Sequence, residues 1–191
     1  MSGWARVCLV TMMMWTMAAD SLGGEQPSTE TLSATAQEAS QLLSSSDPYQ
    51  RQLGFLRLEA LRDPCAVPII QPYTDSRDPD LRAYSLRALA AIQSAQAIPL
   101  LLEKLRTDKQ PRVRRAALLG LEPIAKGHPE VLEAFIKALR DRKTEVRMAA
   151  VDIVSRIDEP RAREAILTRH RRERRRDVRR VLDLAMKRLG T

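Results

Sequence analysis

The segment that decides the fold is Val113-Arg114-Arg115-Ala116-Ala117-Leu118-Leu119-Gly120-Leu121-Glu122-Pro123-Ile124. Related segments begin at Leu81, Val146 and Val178, and a degenerate copy begins at Gln50. Each copy carries an arginine at its second position, and these arginines recur at intervals of 31, 32, 33 and 32 residues: Arg51, Arg82, Arg114, Arg147 and Arg179. A near-constant period of roughly 20–50 residues predicts a solenoid built from stacked repeats.

Each repeat is predicted to contain two helices. Apolar or small side chains follow one another in steps of 4, 4 and 3 residues, as at Val113, Ala117, Leu121 and Ile124, and this spacing places them on one face of an α-helix. A second apolar segment precedes each copy. Because proline suits the first turn of a helix and disrupts its interior, the prolines mark helix starts; they are Pro48, Pro64, Pro79, Pro99, Pro111, Pro129 and Pro160. One such helix pair cannot bury its apolar face alone, whereas a stack of pairs can.

The pattern Ala97-Ile98-Pro99-Leu100-Leu101, followed by Asp108 and by Pro111-Arg112-Val113-Arg114-Arg115-Ala116-Ala117, resembles a HEAT repeat of the short type also found in phycobilisome lyases. The resemblance covers roughly residues 34–189. It implies an all-α solenoid of about five antiparallel helix pairs. It says little about function, because one fold hosts many activities.

The resemblance also implies a structural role for the repeat arginines. In HEAT families an aspartate six residues before the arginine forms a ladder of hydrogen bonds between repeats. The pairs with this spacing are Asp108–Arg114, Asp141–Arg147 and, with glutamate, Glu173–Arg179. Ser76 and Ser45 occupy the position before Arg82 and Arg51, so the acidic pattern is missing from the first two copies.

The first 33 residues differ in composition from the rest. Residues 1–19 combine Arg6 with a short apolar run, 7–19, which is too short to span a bilayer. This composition predicts a signal peptide, with cleavage after Ala18 or Gly23; an uncleaved anchor or a buried first helix is the alternative. Residues 20–33 are predicted to be a flexible spacer, and 34–191 the repeat domain. The protein is therefore predicted to be exported, to the periplasm or the extracellular space, without a transmembrane span in the mature chain.

Positive charge is concentrated at one end of the chain. The whole sequence has a formal net charge of +8, with 32 Lys and Arg against 24 Asp and Glu. Residues 161–191 alone contain 12 Lys and Arg against 4 Asp and Glu, which is also +8. Two hypotheses fit this end: a charged cap that keeps the terminal repeat soluble, or an anion-binding surface. The arginines concerned are Arg169, Arg171, Arg172, Arg174, Arg175 and Arg176. No aromatic residue interrupts the run, so base stacking is not expected and nucleic acid is disfavoured as a partner; an acidic partner fits better.

The sequence offers no recognisable catalytic constellation. Its two histidines, His128 and His170, have no partners at metal-ligand spacing, and no glycine-rich phosphate loop occurs. Cys65, the one cysteine left after signal cleavage, is either a small half-buried residue or a reactive thiol. The sequence therefore predicts no catalytic, cofactor-binding or metal-binding residue, no cofactor, and no enzymatic activity.

The predicted function follows from the fold. Family analogy and helix phase place four arginines on the concave side of the solenoid, where they could contact a protein or peptide partner: Arg87, Arg115, Arg156 and Arg180. The main hypothesis is a non-catalytic exported scaffold that binds such a partner in its concave groove. The alternatives are a polyanion-binding protein that uses the arginine-rich C-terminal repeat, and an enzyme that resembles the bilin lyases.

Overall fold

A computed structural model describes residues 32–190. All regular structure in this range is helical, and the α-helices are α1 (Ala34–Leu42), α2 (Pro48–Leu61), α3 (Val67–Ile70), α4 (Pro79–Gln93), α5 (Ile98–Thr107), α6 (Pro111–Leu121), α7 (Pro129–Ala138), α8 (Thr144–Val154), α9 (Pro160–Arg172) and α10 (Arg176–Arg188). Short 3-10 helices occur at Pro64–Ala66, Gln71–Asp75, Ser94–Ala97 and Glu122–Ile124. The prediction of an all-α solenoid of about five helix pairs is confirmed. The pairs are α1/α2, α3/α4, α5/α6, α7/α8 and α9/α10.

The helices form two rows. The first row contains α1, α3, α5, α7 and α9, and the second row contains α2, α4, α6, α8 and α10. Successive helices of the second row contact one another extensively, whereas α5, α7 and α9 of the first row contact one another sparsely. A stack bends toward its more closely packed side, so the second row lies on the inner side of the array.

Prolines and aspartates set the helix starts. Pro48, Pro79, Pro111, Pro129 and Pro160 are each the first residue of a helix, because a missing backbone N–H costs nothing in the first turn. Aspartate caps precede two of them: the Asp47 carboxylate accepts a hydrogen bond from the Tyr49 N–H, and the Asp78 carboxylate accepts one from the Asp80 N–H.

The predicted apolar faces point into the core. In α6 the side chains of Val113, Ala117 and Leu121 are fully buried, and Ile124, in the 3-10 helix that follows, is half-buried. Gly120 lies on the adjacent face, where a Cβ atom would stand 3.0 Å from the Cβ of Ala90. Glycine at this position therefore lets α6 approach α4 closely.

One continuous helical stretch, Pro79–Thr107, is long and apolar enough to cross a membrane by length and composition alone. It is not a single straight helix, since Ser94 has a φ of 50° and turns the chain between α4 and α5. Leu86 and Leu101 from its two halves are fully buried in the core of the array. Its apolar composition is thus explained by packing between repeats.

The predicted signal peptide, 1–19, lies outside the described residues, as does most of the predicted spacer. The end of that spacer is held against the second repeat. The backbone N–H and hydroxyl of Ser33 donate to Oδ2 of Asp63 over 3.1 and 3.2 Å. The Ser33 hydroxyl also accepts from the N–H of Ala36 and caps α1.

Candidate functional site

The repeat arginines join each repeat to the next. Nη1 of Arg114 donates to the carbonyl oxygens of Asp108 and Lys109, over 3.0 and 3.1 Å, at the start of its own helix. Its Nε and Nη2 donate to the two carboxylate oxygens of Asp141, in the following repeat, over 2.8 and 2.7 Å. One guanidinium therefore orders its own loop and binds the neighbouring repeat with a two-point contact.

The same geometry recurs on either side. Arg82 donates to Asp108 over 2.9 and 3.1 Å, and Arg147 donates to Glu173 over 3.0 and 3.5 Å. The acid six residues before Arg114 and before Arg147 contributes its backbone carbonyl to that arginine, and Ser76 does the same for Arg82. The carboxylate of each ladder acid reaches the arginine of the preceding repeat.

The ladder is incomplete where serine replaces the acid. Nη1 of Arg51 donates to the carbonyl oxygens of Ser45 and Ser46 over 2.9 Å. Its Nη2 lies 4.0 Å from Asp78, and its buried Nε has no hydrogen-bond partner among the described residues. The Ser76 hydroxyl, which accepts from the Asp78 N–H over 3.2 Å, occupies the position of a ladder acid but is too short to reach Arg51.

The ladder acids are ionised at neutral pH. Burial by itself raises the pKa of Asp108 and Asp141, but hydrogen bonds from Arg82 and Arg114, respectively, and from backbone N–H groups outweigh it, and both pKa values are lowered. Burial likewise opposes ionisation of Glu173, yet hydrogen bonds from Arg169 and the backbone, together with the charge of Arg147, bring its pKa down to about 2. These acids have the environment of structural ion pairs rather than of proton donors.

The four arginines predicted to contact a partner are not gathered into one site. Arg87 pairs with Glu59 of the preceding repeat over 3.0 Å. Arg156 is bound by Glu122 and Asp152.

The other two members of that set, Arg115 and Arg180, are exposed and form no ion pair with any residue in the described range. They belong to different repeats, α6 and α10. Two of the four charges are therefore neutralised locally, and the remaining two are free to meet an outside group.

The arginine-rich run is also dispersed. Arg169 is bound to Glu173, which additionally accepts from the backbone N–H groups of Arg174 and Arg175. The run crosses the end of α9, a loop and the start of α10. The side chains exposed along it are Arg171, Arg172, Arg174, Arg175 and Arg176.

A groove of about 610 Å³ lies between the loop that follows α6 and the loop that follows α8. Apolar atoms of Ala125, Leu132 and Ile157 line it. Its charged and polar lining residues are Glu122, Lys126, His128, Arg156, Asp158, Glu159 and Arg161. The groove therefore joins an apolar surface to groups of both charges, as small-molecule sites commonly do.

The local backbone conformation positions the side chain of His128 at this groove. Gly127 has a φ of 84°, a backbone conformation that favours glycine, and it turns the chain just before His128. Nδ1 of His128 lies 3.1 Å from Oε1 of Glu130. This contact orients the ring of His128 at the groove. Lys126 and Asp158 are exposed and form no ion pair with another described residue.

Sequence reasoning missed this groove. A second groove, of about 500 Å³, lies between α5 and α7. Apolar residues such as Leu102 and Ala134 and charged residues such as Arg106 and Lys137 line it, but no histidine does. Across residues 32–190 no cluster of His, Cys, Asp and Glu has the arrangement of a metal site.

The family model for HEAT repeats matches residues 36–122 and 98–187, which together cover most of the chain. The chain is 34% identical over 93 residues to the bilin biosynthesis protein RpcF of Synechococcus sp. (strain WH8020), a match that covers 45% of this chain and 44% of that protein. It is 45% identical over 56 residues to the phycocyanobilin lyase subunit beta of Nostoc sp. (strain PCC 7120 / SAG 25.82 / UTEX 2576), covering 29% of this chain and 28% of that subunit. The matched segments thus span less than half of these curated relatives.

The fold is also similar to a solved structure of the complex of CpcE and CpcF of phycocyanin lyase from Nostoc sp. PCC7120. The TM-score is 0.63 at 26% sequence identity, and the match covers 80% of this chain and 98% of that chain. The resemblance to the short repeats of phycobilisome lyases is therefore confirmed.

These similarities correct three predictions made from the sequence. The main hypothesis of a non-catalytic scaffold is wrong, and so is the prediction that the protein is not an enzyme, because the relatives and the solved complex are lyase or bilin-biosynthesis proteins. The prediction of a secreted, periplasmic or extracellular protein is wrong for the same reason, because these relatives are named as bilin-biosynthesis and phycocyanobilin-lyase proteins. The signal peptide predicted at 1–19 lies outside the described residues and stays a prediction. The sequence showed no sign of an enzyme because most of the residues that line the groove lie in loops, outside the helical period.

Proposed function

The chain belongs to the HEAT-repeat family, and from that premise we propose that it is a bilin-lyase-type protein that binds an open-chain tetrapyrrole and acts together with a protein partner. The observation that carries the proposal is its similarity to two bilin-processing proteins and to the phycocyanin lyase complex. HEAT repeats alone would support no particular reaction.

The groove between the loops after α6 and α8 has the chemistry that such a ligand needs. An open-chain tetrapyrrole is a large conjugated molecule with two propionate side chains and several pyrrole N–H groups. The volume of about 610 Å³ falls within the roughly 300–1,000 Å³ typical of small-molecule sites. Leu132 and Ile157 would contact the rings, Lys126 would pair with a propionate, and the Asp158 carboxylate would accept hydrogen bonds from pyrrole N–H groups.

His128 is the residue best placed to move a proton. In bilin attachment the thiol of an acceptor protein adds across a carbon–carbon double bond of the bilin: the sulfur–carbon bond forms, the double bond becomes single, and the thiol proton ends on the bilin. His128 would take the thiol proton, and its hydrogen bond with Glu130 would hold the ring in place. The proton would then return to the bilin carbon.

The partner is inferred from the same similarity. The solved phycocyanin lyase is a complex of two subunits, CpcE and CpcF, and a chain of the same fold is proposed to need a second subunit as well. The exposed cations Arg115 and Arg180 on the second row favour an acidic partner surface.

The test is direct. The purified chain is incubated with phycocyanobilin and an acceptor phycobiliprotein subunit lacking its chromophore, alone and with CpcE or CpcF of the Nostoc lyase. The proposal expects the absorbance spectrum of the bilin to change on binding, and expects covalent bilin on the acceptor after denaturation above the level reached without the chain. An unchanged spectrum together with background attachment under every condition would contradict it.

A further inference from the structure

An ion pair joins the two walls of the groove that His128 borders. Glu122 stands in the 3-10 helix that follows α6, and Arg156 stands in the loop that follows α8. Nη2 of Arg156 donates to Oε1 of Glu122, and both side chains line the groove. The side chain of Arg156 is 45% exposed and that of Glu122 is 35% exposed. A group that enters the groove can therefore reach both members of the pair.

Arg156 is also held by a second carboxylate. Its Nη1 donates to Oδ2 of Asp152 over 2.7 Å, while Oδ1 of Asp152 accepts a hydrogen bond from Nη1 of Arg188 over 3.1 Å. Burial by itself raises the pKa of Asp152, but hydrogen bonds from Arg188 and Arg156 outweigh it, and the pKa is lowered. Asp152 therefore stays charged at neutral pH. The guanidinium of Arg156 would keep this contact, and with it its orientation, if Glu122 moved away.

The cations that line the groove differ in what they offer to the carboxylate of a ligand. Lys126 has no ion-pair partner among the described residues. Arg161 pairs with Glu133 over 2.9 Å, and in the described range it has no second acid to hold it in place. Arg156 is the arginine of the groove that can exchange one carboxylate for another and remain oriented. A donor that is already oriented binds a carboxylate at a lower entropic cost.

We propose that Arg156 binds a carboxylate of the ligand, and that Glu122 is the internal competitor which this carboxylate displaces. A ligand with two carboxylates would then have one bound by Lys126 and the other by Arg156, so both of its charges would be neutralised. The displaced side chain of Glu122 would turn toward solvent, to which it is already partly exposed. That the ligand is an open-chain tetrapyrrole rests on the proposed function; the choice of Arg156 rests on its contacts.

The experiment compares phycocyanobilin with its dimethyl ester, in which both propionates are uncharged. The dissociation constant of each is measured from the absorbance change when the full chain is titrated. Arg156→Gln is expected to weaken binding of the free acid by about 10-fold, because it removes a charged hydrogen bond, and to leave binding of the ester nearly unchanged. Glu122→Gln is expected to tighten binding of the free acid by about 3-fold, since an exposed ion pair is a weak competitor, and to have no such effect on the ester.

Arg87→Gln is the matched control. Arg87 also pairs with a glutamate of the preceding repeat, Glu59, over 3.0 Å, but it does not line the groove, so this variant should bind both forms of the bilin as wild type does. A general loss of stability would weaken binding of the acid and the ester alike. If Arg156→Gln does not fold, Glu122→Gln decides the matter alone, because a damaged fold cannot produce the expected gain in affinity.

Four results would overturn the assignment of Arg156 while wild type still binds phycocyanobilin. They are equal losses for the acid and the ester in Arg156→Gln, unchanged binding of the acid in that variant, unchanged or weaker binding of the acid by Glu122→Gln, and a loss in Arg87→Gln as large as that in Arg156→Gln. If wild type binds neither the acid nor the ester, the proposed function fails and the assignment fails with it. The two failures are therefore distinguishable.

Discussion

Arg114 and Asp141 are joined by two hydrogen bonds, 2.7 and 2.8 Å long, between side chains that are 4% and 12% exposed. The pair connects the third repeat to the fourth. Loss of either residue is expected to lower the stability of the protein, since the charge of the other residue would stay buried without its partner.

Replacement of Arg114 by alanine is expected to destabilise the protein by about 3–5 kcal/mol, because Asp141 would keep a buried and unpaired charge. Urea unfolding followed by circular dichroism measures the change. The control is Arg115→Ala, which removes the adjacent exposed arginine and should change the free energy of unfolding by no more than about 0.5 kcal/mol. Similar losses in both variants would mean that the ladder contact adds no stability beyond that of a surface charge.

Ser76→Asp is expected to stabilise the chain by about 1 kcal/mol, since it places a carboxylate where Nε of Arg51 has no partner. The aspartate could also accept from the Asp78 N–H, as the serine hydroxyl does. The same substitution in an Arg51→Gln background is the control and should give little or no gain. If the gain persists without Arg51, its cause is the helix cap and not the ladder.

Glu173 is expected to make stability depend on pH in the acidic range. Its folded pKa of about 2 lies below the ordinary value of 4.5. Its contribution is therefore fully present above about pH 4.5 and is lost as the pH falls toward 2. Glu173→Gln should be less stable at pH 7 and should lose less stability than wild type between these pH values.

The measurement for Glu173 is urea unfolding at pH 7, 4 and 3. Asp177→Asn removes an exposed carboxylate four residues away and should retain the wild-type decline. A Glu173→Gln variant that declines as steeply as wild type would show that other acids cause the acid sensitivity.

His128→Gln is expected to slow covalent attachment of phycocyanobilin by roughly 100-fold or more, as loss of a general base does, while the absorbance change on bilin binding persists. Attachment is followed on denaturing gels. The matched control is His170→Gln, which changes a histidine paired with Asp183 in the last repeat and away from the groove. Equal rates in the two variants would remove His128 from the proposed chemistry.

The periodic part of the fold was predictable from sequence because every repeat buries the same positions. Val113, Ala117 and Leu121 identify the face of α6 without knowledge of its neighbours. The serines at 45 and 76 could also be recognised as gaps in the ladder. The glycine of the degenerate first copy, Gly54, has a physical reason in the structure: a Cβ there would stand 2.8 Å from the carbonyl oxygen of Ala39.

The groove could not be predicted in the same way. Lys126, His128 and Asp158 lie in loops of two successive repeats, outside the helical period, and their proximity depends on how the repeats stack. Residues that are close to one another in the sequence do not form a recognisable catalytic site. The lyase alternative rested on resemblance, and the imidazole beside Glu130 became a candidate only once the two loops were placed side by side.

The unpaired nitrogen of Arg51 has a consequence for motion. The interface between the first two helix pairs lacks the two hydrogen bonds from an arginine to a carboxylate that are present at the next three interfaces. We therefore expect α1 and α2 to unfold locally as a unit while the rest of the array stays folded. Amide hydrogens in these two helices should then exchange with deuterium sooner than those of α6 and α8. The array would thus have a fixed body and one detachable segment at its N-terminal end.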